Sequence, residues 1–315
     1  MYSRKIIVTG ASGLVGSALV ERLKSSGGYS IVKGVRSVSA GLDQLPLEAL
    51  DSNVAIRHLE AADVVVHCGA RVHVMNDRAV DPLDEFRKAN VQGTLELARR
   101  AAEGGVRRFI FISSIKVNGE ATIPDCPYLA DQEPAPRDPY GISKMEAEEG
   151  LRALAQDTGL EVVIIRPVLV YGPGVKANFY SLMKWLSKGV PLPLGAIVNR
   201  RSLVALDNLV DLMVTCIDHP AAANQTFLVS DDEDLSTSDL LRRLGLALGR
   251  SPRLLPVPAR ILQLSAGLVG KKALAQRLCG SLQVDITKTR SLLGWTPVIS
   301  VDEALLKTAR HFQKR

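Results

Sequence analysis

The 315-residue sequence has no long uninterrupted apolar run, no closely spaced cysteines and no paired histidines. Its nearest approach to a membrane span, residues 254–269, is broken by proline and arginine, so we expect no membrane insertion. The apolar stretch that begins at Ile6 is far too short for a signal peptide, which predicts a cytoplasmic protein. The histidines lack H-E-x-x-H spacing, so no metal site is predicted. The four cysteines form no C-x-x-C pair and are predicted to be reduced and buried: Cys68, Cys126, Cys216 and Cys279.

The composition is that of an ordinary globular protein. With 46% hydrophobic and 23% charged residues, the sequence excludes a disordered, collagen-like or coiled-coil chain. The length predicts one large α/β unit, or a core domain with a smaller one. Thirty-nine basic against 33 acidic residues leave a net charge of +6 without a block of consecutive basic residues, so no nucleic-acid partner is predicted. An anionic small-molecule partner and a charge that only aids solubility both stay open.

Short β-branched runs alternate with longer amphipathic segments along the first half of the chain. Apolar residues at three-and-four spacing predict helices over 14–25, 82–103 and 140–156. The runs predict strands over 5–9, 31–35, 64–67, 109–113 and 162–166. Strands joined through helices pair in parallel and are covered on both faces. We therefore predict an α/β fold with a Rossmann-type, doubly wound parallel sheet.

The pattern of the sequence changes after residue 170, where proline and glycine interrupt the chain more often. Proline- and glycine-rich pieces such as 171–174, 191–195 and 252–258 divide it into short elements, which predicts a second, smaller α/β region. A strand and helix over 203–217 and a strand over 226–229 still resemble elements of the large sheet. We predict a first domain over 1–170 to which 203–230 returns, and a second region made of 171–202 and 231–315.

A glycine-rich loop follows the first predicted strand. Gly10 would permit a tight turn, Gly13 would let a pyrophosphate approach the backbone, and Gly16 would let the next helix pack on the strand. The helix N-terminus would then face the phosphates. This strand-loop-helix context predicts a dinucleotide site rather than an ordinary turn. The cofactor-binding residues predicted in this loop are Gly10, Ser12, Gly13, Leu14, Val15 and Gly16.

Arg36 stands where the second strand should present the residue that reads the adenosine ribose. An acidic side chain there is typical of NAD binding, whereas a basic one can bind the 2′-phosphate of NADP. Arg36 therefore favours NADP(H), with NAD(H) possible. The alternative is that Arg36 stacks on adenine or lies in solvent.

Tyr140 and Lys144 are four residues apart at the start of a predicted helix, so both project from one face. An ammonium next to a phenol stabilises the phenolate and lowers the pKa of the phenol towards the working range of an acid-base catalyst. Ser113 and Ser114 follow a buried strand at the carboxyl end of the predicted sheet, where ligands of such folds bind. Ser114 is predicted to hydrogen-bond a substrate carbonyl, whereas Ser113 is as well explained by a cap on the strand.

The sequence resembles the extended short-chain dehydrogenase/reductases of the NAD-dependent epimerase/dehydratase type, which act on nucleotide sugars. The motifs that carry this resemblance are residues 9–16, 67–70, 90–94, 113–114, 140–144, 166–167 and 171–174. The resemblance implies that Tyr140 is the acid-base residue, that Lys144 activates it and binds the nicotinamide ribose, and that Ser114 orients the C4 oxygen of the sugar. It also implies cofactor contacts from Cys68, Gly69, Ala70, Asn90, Ser113, Arg166, Pro167 and Val168. Substrate contacts are implied for Arg71, Lys116, Asn178, Phe179, Arg200 and Arg201, of which Arg201 is the preferred pyrophosphate ligand and Arg200 its competitor.

Within that family, residues 71–75, 115–120 and 174–179 look most like bacterial enzymes that reduce the C4 ketone of UDP-2-acetamido-2,6-dideoxy-4-hexulose for O-antigen or other surface polysaccharides. The resemblance thus implies an NADPH-dependent 4-ketoreductase with a UDP-sugar substrate, acting as a homodimer. The alternative is an NAD-dependent UDP-glucose or UDP-N-acetylglucosamine 4-epimerase, and a more remote one is a non-catalytic NADP redox sensor. Arg36 and Lys116 both differ from a typical 4-epimerase, which has an acidic residue and a threonine at those positions.

Overall fold

The computed structural model describes residues 3–36, 43–72, 81–268 and 272–314. These residues contain ten strands: β1 Arg4–Thr9, β2 Tyr29–Val35, β3 Gln44–Pro46, β4 Val64–His67, β5 Arg108–Ile112, β6 Glu161–Pro167, β7 Leu169–Tyr171, β8 Arg201–Ala205, β9 Thr226–Val229 and β10 Asp234–Leu235. Seven of them form a sheet in the order β3-β2-β1-β4-β5-β6-β9, and every pair in it is parallel. The other three form a small sheet in the order β10-β8-β7.

Helices connect and cover these strands. They are α1 Leu14–Ser26, α2 Asn53–Glu60, α3 Pro82–Arg87, α4 Gly93–Glu103, α5 Pro139–Thr158, α6 Ala177–Ser187, α7 Leu206–Asp218, α8 Thr237–Ala247, α9 Ala259–Leu268, α10 Lys272–Cys279, α11 Thr287–Leu293 and α12 Val301–Gln313. A π-helical turn, Lys88–Gln92, joins α3 to α4, and a 3₁₀ turn, Ile115–Val117, follows β5.

Both faces of the large sheet are buried, because successive side chains of a strand point to opposite faces. On β1, Ile6 and Val8 pack with α1 and α7, whereas Ile7 packs with α2, α4 and α5. The same alternation runs through β4, β5 and β6. The predicted α/β fold with a doubly wound parallel sheet is thereby confirmed. The predicted strands of this sheet lie within two residues of their expected bounds, and β3 was not predicted.

Two predicted elements differ from the structure. The single helix expected over 82–103 is interrupted by the π-helical turn Lys88–Gln92. The strand expected around Leu203 to return to the large sheet is β8, and it pairs with β7 and β10 in the small sheet. Only β9 joins the large sheet there, next to β6, while α7 packs on the face of that sheet. The division into residues 1–170 and a second region stays a prediction.

The second region has its own apolar core, in which α6, α8 and α12 pack against the small sheet. A buried carboxylate links the two sheets. Asp231, just after β9, accepts hydrogen bonds from the Tyr171 hydroxyl (2.8 Å), the Ala205 backbone N–H (2.7 Å) and the Asn208 side chain (2.7 Å). The Asn208 side-chain oxygen in turn accepts from the backbone N–H groups of residues 298 and 299, ahead of α12.

The predicted burial of all four cysteines is wrong for Cys126, which is exposed, while Cys216 is buried and the other two are half-buried. No helix among the described residues is long and apolar enough to cross a bilayer. The same part of the chain shows no group of three or more His, Cys, Asp or Glu side chains that could hold a metal ion.

Candidate active site

The glycine-rich loop forms a cradle at the carboxyl end of β1. Gly10 has a φ of +63°, and a Cβ there would lie 2.7 Å from the backbone of Cys68 and Gly69. A Cβ on Gly16 would lie 2.3 Å from the Gly10 carbonyl oxygen, so neither position admits a side chain. The first turn of α1 has no side-chain cap, which leaves its N–H groups for an anion. This geometry fits the pyrophosphate of a dinucleotide, with Ser12 exposed and with Leu14 and Val15 half-buried beside it.

Arg36 follows β2 directly and is exposed at the same edge of the sheet. The next six residues lie outside the described part of the chain, and none of them is acidic in the sequence. Gly34 contacts β1, since a Cβ there would lie 2.8 Å from the Thr9 side chain. The position of Arg36 fits a reader of the adenosine ribose.

Neighbouring strands bring other predicted cofactor contacts to this edge, because the carboxyl ends of parallel strands meet there. Cys68, Gly69 and Ala70 follow β4, and the Gly69 backbone N–H donates to the Thr9 hydroxyl at 3.3 Å. Burial raises the pKa of the Cys68 thiol to about 12, so this thiol is not a nucleophile. Pro167 ends β6, and buried Val168 follows it.

Ser114 lies just after the end of β5, close to Tyr140 in the first turn of α5. Ser114 begins the 3₁₀ turn, where its hydroxyl accepts a hydrogen bond from the Lys116 backbone N–H at 3.3 Å. Burial raises the pKa of Tyr140 to about 12, a hydrogen bond with Ser114 opposes that rise, and the charge of Asp138 adds to it. The edge of the Tyr140 ring packs against Phe86 of α3, with centroids 6.0 Å apart. The two hydroxyls are therefore placed to share one substrate oxygen.

Lys144 lies one turn further along α5, and its side chain is only 1% exposed. Its ammonium donates to the Ile112 carbonyl oxygen at the end of β5 (2.8 Å) and lies 4.3 Å from the Phe111 ring centroid. Burial lowers the pKa of Lys144 to about 7, although the charge of Glu148 raises it. The hydrogen bond with Ser114 is the effect that lowers the pKa of Tyr140, and activation of this phenol by Lys144 stays a prediction.

Asn90 supports the site from the π-helical turn. Its side chain accepts from the Arg71 backbone N–H (2.8 Å) and donates to the Arg71 carbonyl (3.0 Å) and to the Ser143 hydroxyl (3.1 Å). Ser143 donates in turn to the Tyr140 carbonyl oxygen at 2.8 Å. Asn90 is 1% exposed and so holds the loop after β4 to the first turn of α5. The Arg71 guanidinium lies over the Phe86 ring, 5.6 Å from its centroid.

The side chains of Arg166 and Ser113, predicted to contact the cofactor, both bond a buried carboxylate of the protein. The Arg166 guanidinium, 2% exposed, makes two hydrogen bonds to Glu148 (2.9 and 2.6 Å) and one to Asn118 (2.9 Å). Ser113 donates to the same Glu148 carboxylate at 2.6 Å. These groups form a buried polar cluster between α5 and β6.

The predicted substrate residues fall into three groups. Phe179 is 3% exposed and stacks on Tyr171 with centroids 5.5 Å apart, so its side chain belongs to the apolar core. Lys116 forms an ion pair with Asp138, which occupies the ammonium predicted to reach substrate. Asn178 lies in the first turn of α6, and its side chain lies outside the described residues, as do residues 73–75 of the predicted motif.

Two adjacent arginines remain as ligands for an anion. The Arg201 guanidinium donates to the carbonyl oxygens of Arg277 (2.8 Å) and Gly280 (3.1 Å), and no carboxylate among the described residues pairs with it. Burial and the neighbouring Arg277 charge lower its pKa. Arg200 is exposed and forms an ion pair with Asp125, so Arg201 is the better placed of the two. A diphosphate would relieve the repulsion between Arg201 and Arg277.

Sequence reasoning missed Arg277 and Asp138. Asp138 caps α5 by accepting from the Gly141 backbone N–H at 2.7 Å. Its signal was present in the D-P that precedes Tyr140, because an acidic N-cap followed by proline is a typical start of a helix. Nothing near Arg277 in the sequence indicates its role, since its neighbour Arg201 is 76 residues away.

Comparisons with known proteins agree with this geometry. Residues 6–230 match the family model described as "NAD dependent epimerase/dehydratase family". The chain is similar to a UDP-glucose 4-epimerase of Vibrio cholerae, with 50% identity over 98% of this chain and 95% of that protein. Two solved structures share the fold: UDP-glucuronic acid 4-epimerase from Bacillus cereus in complex with NAD (TM-score 0.78, 21% identity, 98% and 96% of the two chains) and RMD from Pseudomonas aeruginosa complexed with NADPH (TM-score 0.77, 21% identity, 99% and 100%).

Proposed function

The chain belongs to the NAD-dependent epimerase/dehydratase family, and on that premise we propose that it is a nucleotide-sugar 4-epimerase whose substrate is a UDP-hexose such as UDP-glucose. The observation that carries this proposal is the 50% identity with the Vibrio cholerae UDP-glucose 4-epimerase along nearly the whole of both chains. The 4-ketoreductase expected from the sequence is not confirmed. The site itself is compatible with either reaction, because both need an acid-base group and a hydrogen-bond donor at the C4 oxygen.

In the proposed reaction Tyr140 is the acid-base residue that takes the proton of the C4 hydroxyl group as the ketone forms and returns it as the hydroxyl group forms again, while Ser114 hydrogen-bonds the same oxygen. A bound nicotinamide ring would supply the acceptor and donor of hydride. Ser114 stabilises the charge that develops on that oxygen in both directions.

The buried lysine and the arginine pair hold the two ends of the reactants. Lys144 is fixed at the carboxyl end of β5, where its ammonium can donate to the nicotinamide ribose. Arg201 and Arg277 would bind the sugar diphosphate. An epimerase returns its own hydride, so we infer that NAD stays bound through each turnover.

One experiment separates epimerase from reductase. The freshly purified protein is denatured and the nucleotide that it releases is identified by chromatography and mass. The native protein is also incubated with UDP-glucose, without added nucleotide, and UDP-galactose is measured. Near-stoichiometric NAD and interconversion without added nucleotide are expected. Empty sites, together with turnover of a 4-keto UDP-sugar only when NADPH is added, would overturn the proposal.

The 4-ketoreductase stands as a second candidate because of one observation, the exposed Arg36 at the end of β2 with no acidic residue before Asp43. A guanidinium there can bind the 2′-phosphate of NADP, and a mostly reduced NADP pool suits net reduction. The substrate would then be a UDP-linked 4-keto-6-deoxy-N-acetylhexosamine. The nucleotide released on denaturation decides between the two.

We also infer that the protein is a homodimer in which two helical segments of each copy, 82–103 and α5, form a four-helix contact. Its support is the family resemblance of the sequence. Light scattering at micromolar concentration measures the mass, and a value near 34 kDa would contradict the dimer.

A further inference from the structure

The turn that begins at Ser114 and the helix that carries Tyr140 are joined by hydrogen bonds and an ion pair. Asp138 accepts at one carboxylate oxygen from the Gly141 backbone N–H (2.7 Å), which caps α5, and its other oxygen pairs with the Lys116 ammonium. The Lys116 backbone N–H donates to the Ser114 hydroxyl at 3.3 Å. One lysine therefore contacts both the serine turn and the cap of the catalytic helix.

These two segments are in such close contact at Gly141 that no side chain fits at that position. A Cβ on Gly141 would lie 2.8 Å from the Lys116 carbonyl oxygen and 3.2 Å from the Asp138 carboxylate. The Lys116 and Asp138 side chains are 25% and 20% exposed, so most of the pair is shielded from water. Glu120 also approaches the ammonium, at 3.4 Å, but is more exposed.

The charge of Asp138 matters for the phenol next to it. The other charged side chains around the first turns of α5 come from the loop after β4, from α3 and from α5 itself: Arg71, Arg87, Lys144, Glu146 and Glu148. Arg87 pairs with Glu146, and Glu148 is paired with Arg166. Asp138 is the carboxylate whose charge acts on Tyr140. Any group that neutralises Asp138 therefore acts on the phenol as well.

We propose that Lys116 is a positioning residue for the chemistry at C4: by binding Asp138 it fixes the Ser114 turn against the start of α5 and offsets part of the negative charge beside the Tyr140 phenol. This inference deepens the proposed function and rests on it for the reaction, but not for the electrostatics. It replaces the direct substrate contact that the sequence suggested for this lysine.

Two substitutions, alone and together, test the inference. Lys116→Met removes the cation and leaves the carboxylate, whereas Asp138→Asn removes the charge and keeps a side chain that caps helices well. In the combined variant both charges are absent, so the phenol has neither the carboxylate nor its counter-ion beside it. Lys307→Met is the matched control, because it removes a different lysine from an ion pair with Asp207 (2.8 Å) at another part of the surface.

The readouts are the pH profile of kcat for UDP-glucose epimerisation and the ionisation of the Tyr140 phenol. A phenol near a free carboxylate ionises less readily, so Lys116→Met should move the rising limb of the profile to higher pH by roughly 0.5 to 1 unit. Asp138→Asn should move it to lower pH, and the combined variant should return near the wild-type position. Lys307→Met should leave it unchanged.

The phenol is followed separately by ¹⁹F NMR of protein labelled with 3-fluorotyrosine, which ionises at lower pH than tyrosine. Tyr140→Phe identifies the signal among the six tyrosines. This titration needs no turnover, so it decides the role of Lys116 even if the wild-type protein fails to epimerise UDP-glucose and the proposed function is wrong. The same order of shifts among the variants is expected.

Two results would overturn the inference. If all three variants lose activity equally at every pH and the phenol titrates as in the wild-type protein, the ion pair is only structural. If Lys116→Met and the combined variant both raise KM at an unchanged pH profile, Lys116 binds substrate directly.

Discussion

Replacement of the buried catalytic lysine should make the protein more stable at neutral pH while it destroys activity. Burial lowers the pKa of Lys144 from 10.5 to about 7. At pH 7 the unfolded chain holds this proton fully and the folded protein holds it about half of the time. The lower pKa in the folded state therefore reduces the free energy of unfolding at pH 7 by about 4 kcal/mol, relative to a lysine with the same pKa in both states.

Lys144→Met removes this cost and gives up two contacts. The hydrogen bond to the Ile112 carbonyl and the ammonium–ring contact with Phe111 contribute together about 2 kcal/mol. The variant should therefore be more stable than the wild-type protein by about 2 kcal/mol at pH 7. Between pH 7 and pH 10.5 the unfolded wild-type chain binds more protons than the folded protein. The free energy of unfolding of the wild-type protein therefore rises with pH relative to that of the variant. By pH 10 the advantage should have fallen by about 3 kcal/mol and changed sign.

Urea unfolding of nucleotide-free protein, followed by circular dichroism at pH 7 and at pH 10, measures both values. Lys307→Met serves as the control, because an exposed lysine should give the same small difference at the two pH values. A Lys144→Met protein that is less stable by the same amount at both pH values would refute the reasoning. It would mean that the ammonium stays charged in the fold with an ordinary pKa.

Three further predictions concern chemistry, cofactor and core. Tyr140→Phe should abolish turnover and leave dinucleotide affinity nearly unchanged by calorimetry; activity within tenfold of the wild-type value would remove Tyr140 from its acid-base role. Arg36→Ala should weaken NADPH much more than NADH if the 2′-phosphate is bound there, whereas equal losses in fluorescence titrations would discard that role. Arg166→Met should lower the free energy of unfolding by about 3–5 kcal/mol in urea, because it leaves the Glu148 carboxylate buried without its main partner, and a loss below 1 kcal/mol would contradict that.

The first half of the fold could be predicted because its signals are local. Hydrophobic runs of four to seven residues mark β1, β2, β4, β5 and β6, and the glycine spacing marks the loop between β1 and α1. The small sheet could not be predicted, since β7 and β10 are only three and two residues long and pair with β8 across long sequence separations.

The π-helical turn also lacks a sequence signal. Apolar spacing along 82–103 is compatible with one regular helix, but the turn lets the Asn90 side chain bond both backbone groups of Arg71 and the Ser143 hydroxyl. Those partners belong to a different strand end and a different helix. The interruption is therefore decided by tertiary contacts, as π-turns at functional sites commonly are.

One physical feature separates Arg166 and Phe179 from the other predicted site residues. Arg166 and Phe179 occupy motif positions, but their side chains point into the protein, where Glu148 and Tyr171 meet them from other elements. A sequence motif predicts the course of the backbone, but it does not predict whether a side chain points towards the ligand or into the protein interior. The role of Arg201 stays a prediction: it lies next to a second arginine and pairs with no carboxylate among the described residues, so it is able to bind an anion.

The carboxylate of Asp231 has a mechanical consequence. Asp231 follows β9 of the large sheet and accepts hydrogen bonds from Tyr171 of β7, Ala205 of β8 and Asn208 of α7. Asn208 also bonds the segment before α12. Any hinge rotation of one sheet against the other would have to break these buried hydrogen bonds together, and burial already raises the pKa of Asp231. We therefore expect the ends of β8 and β9 to keep their relative position when other parts of the protein move.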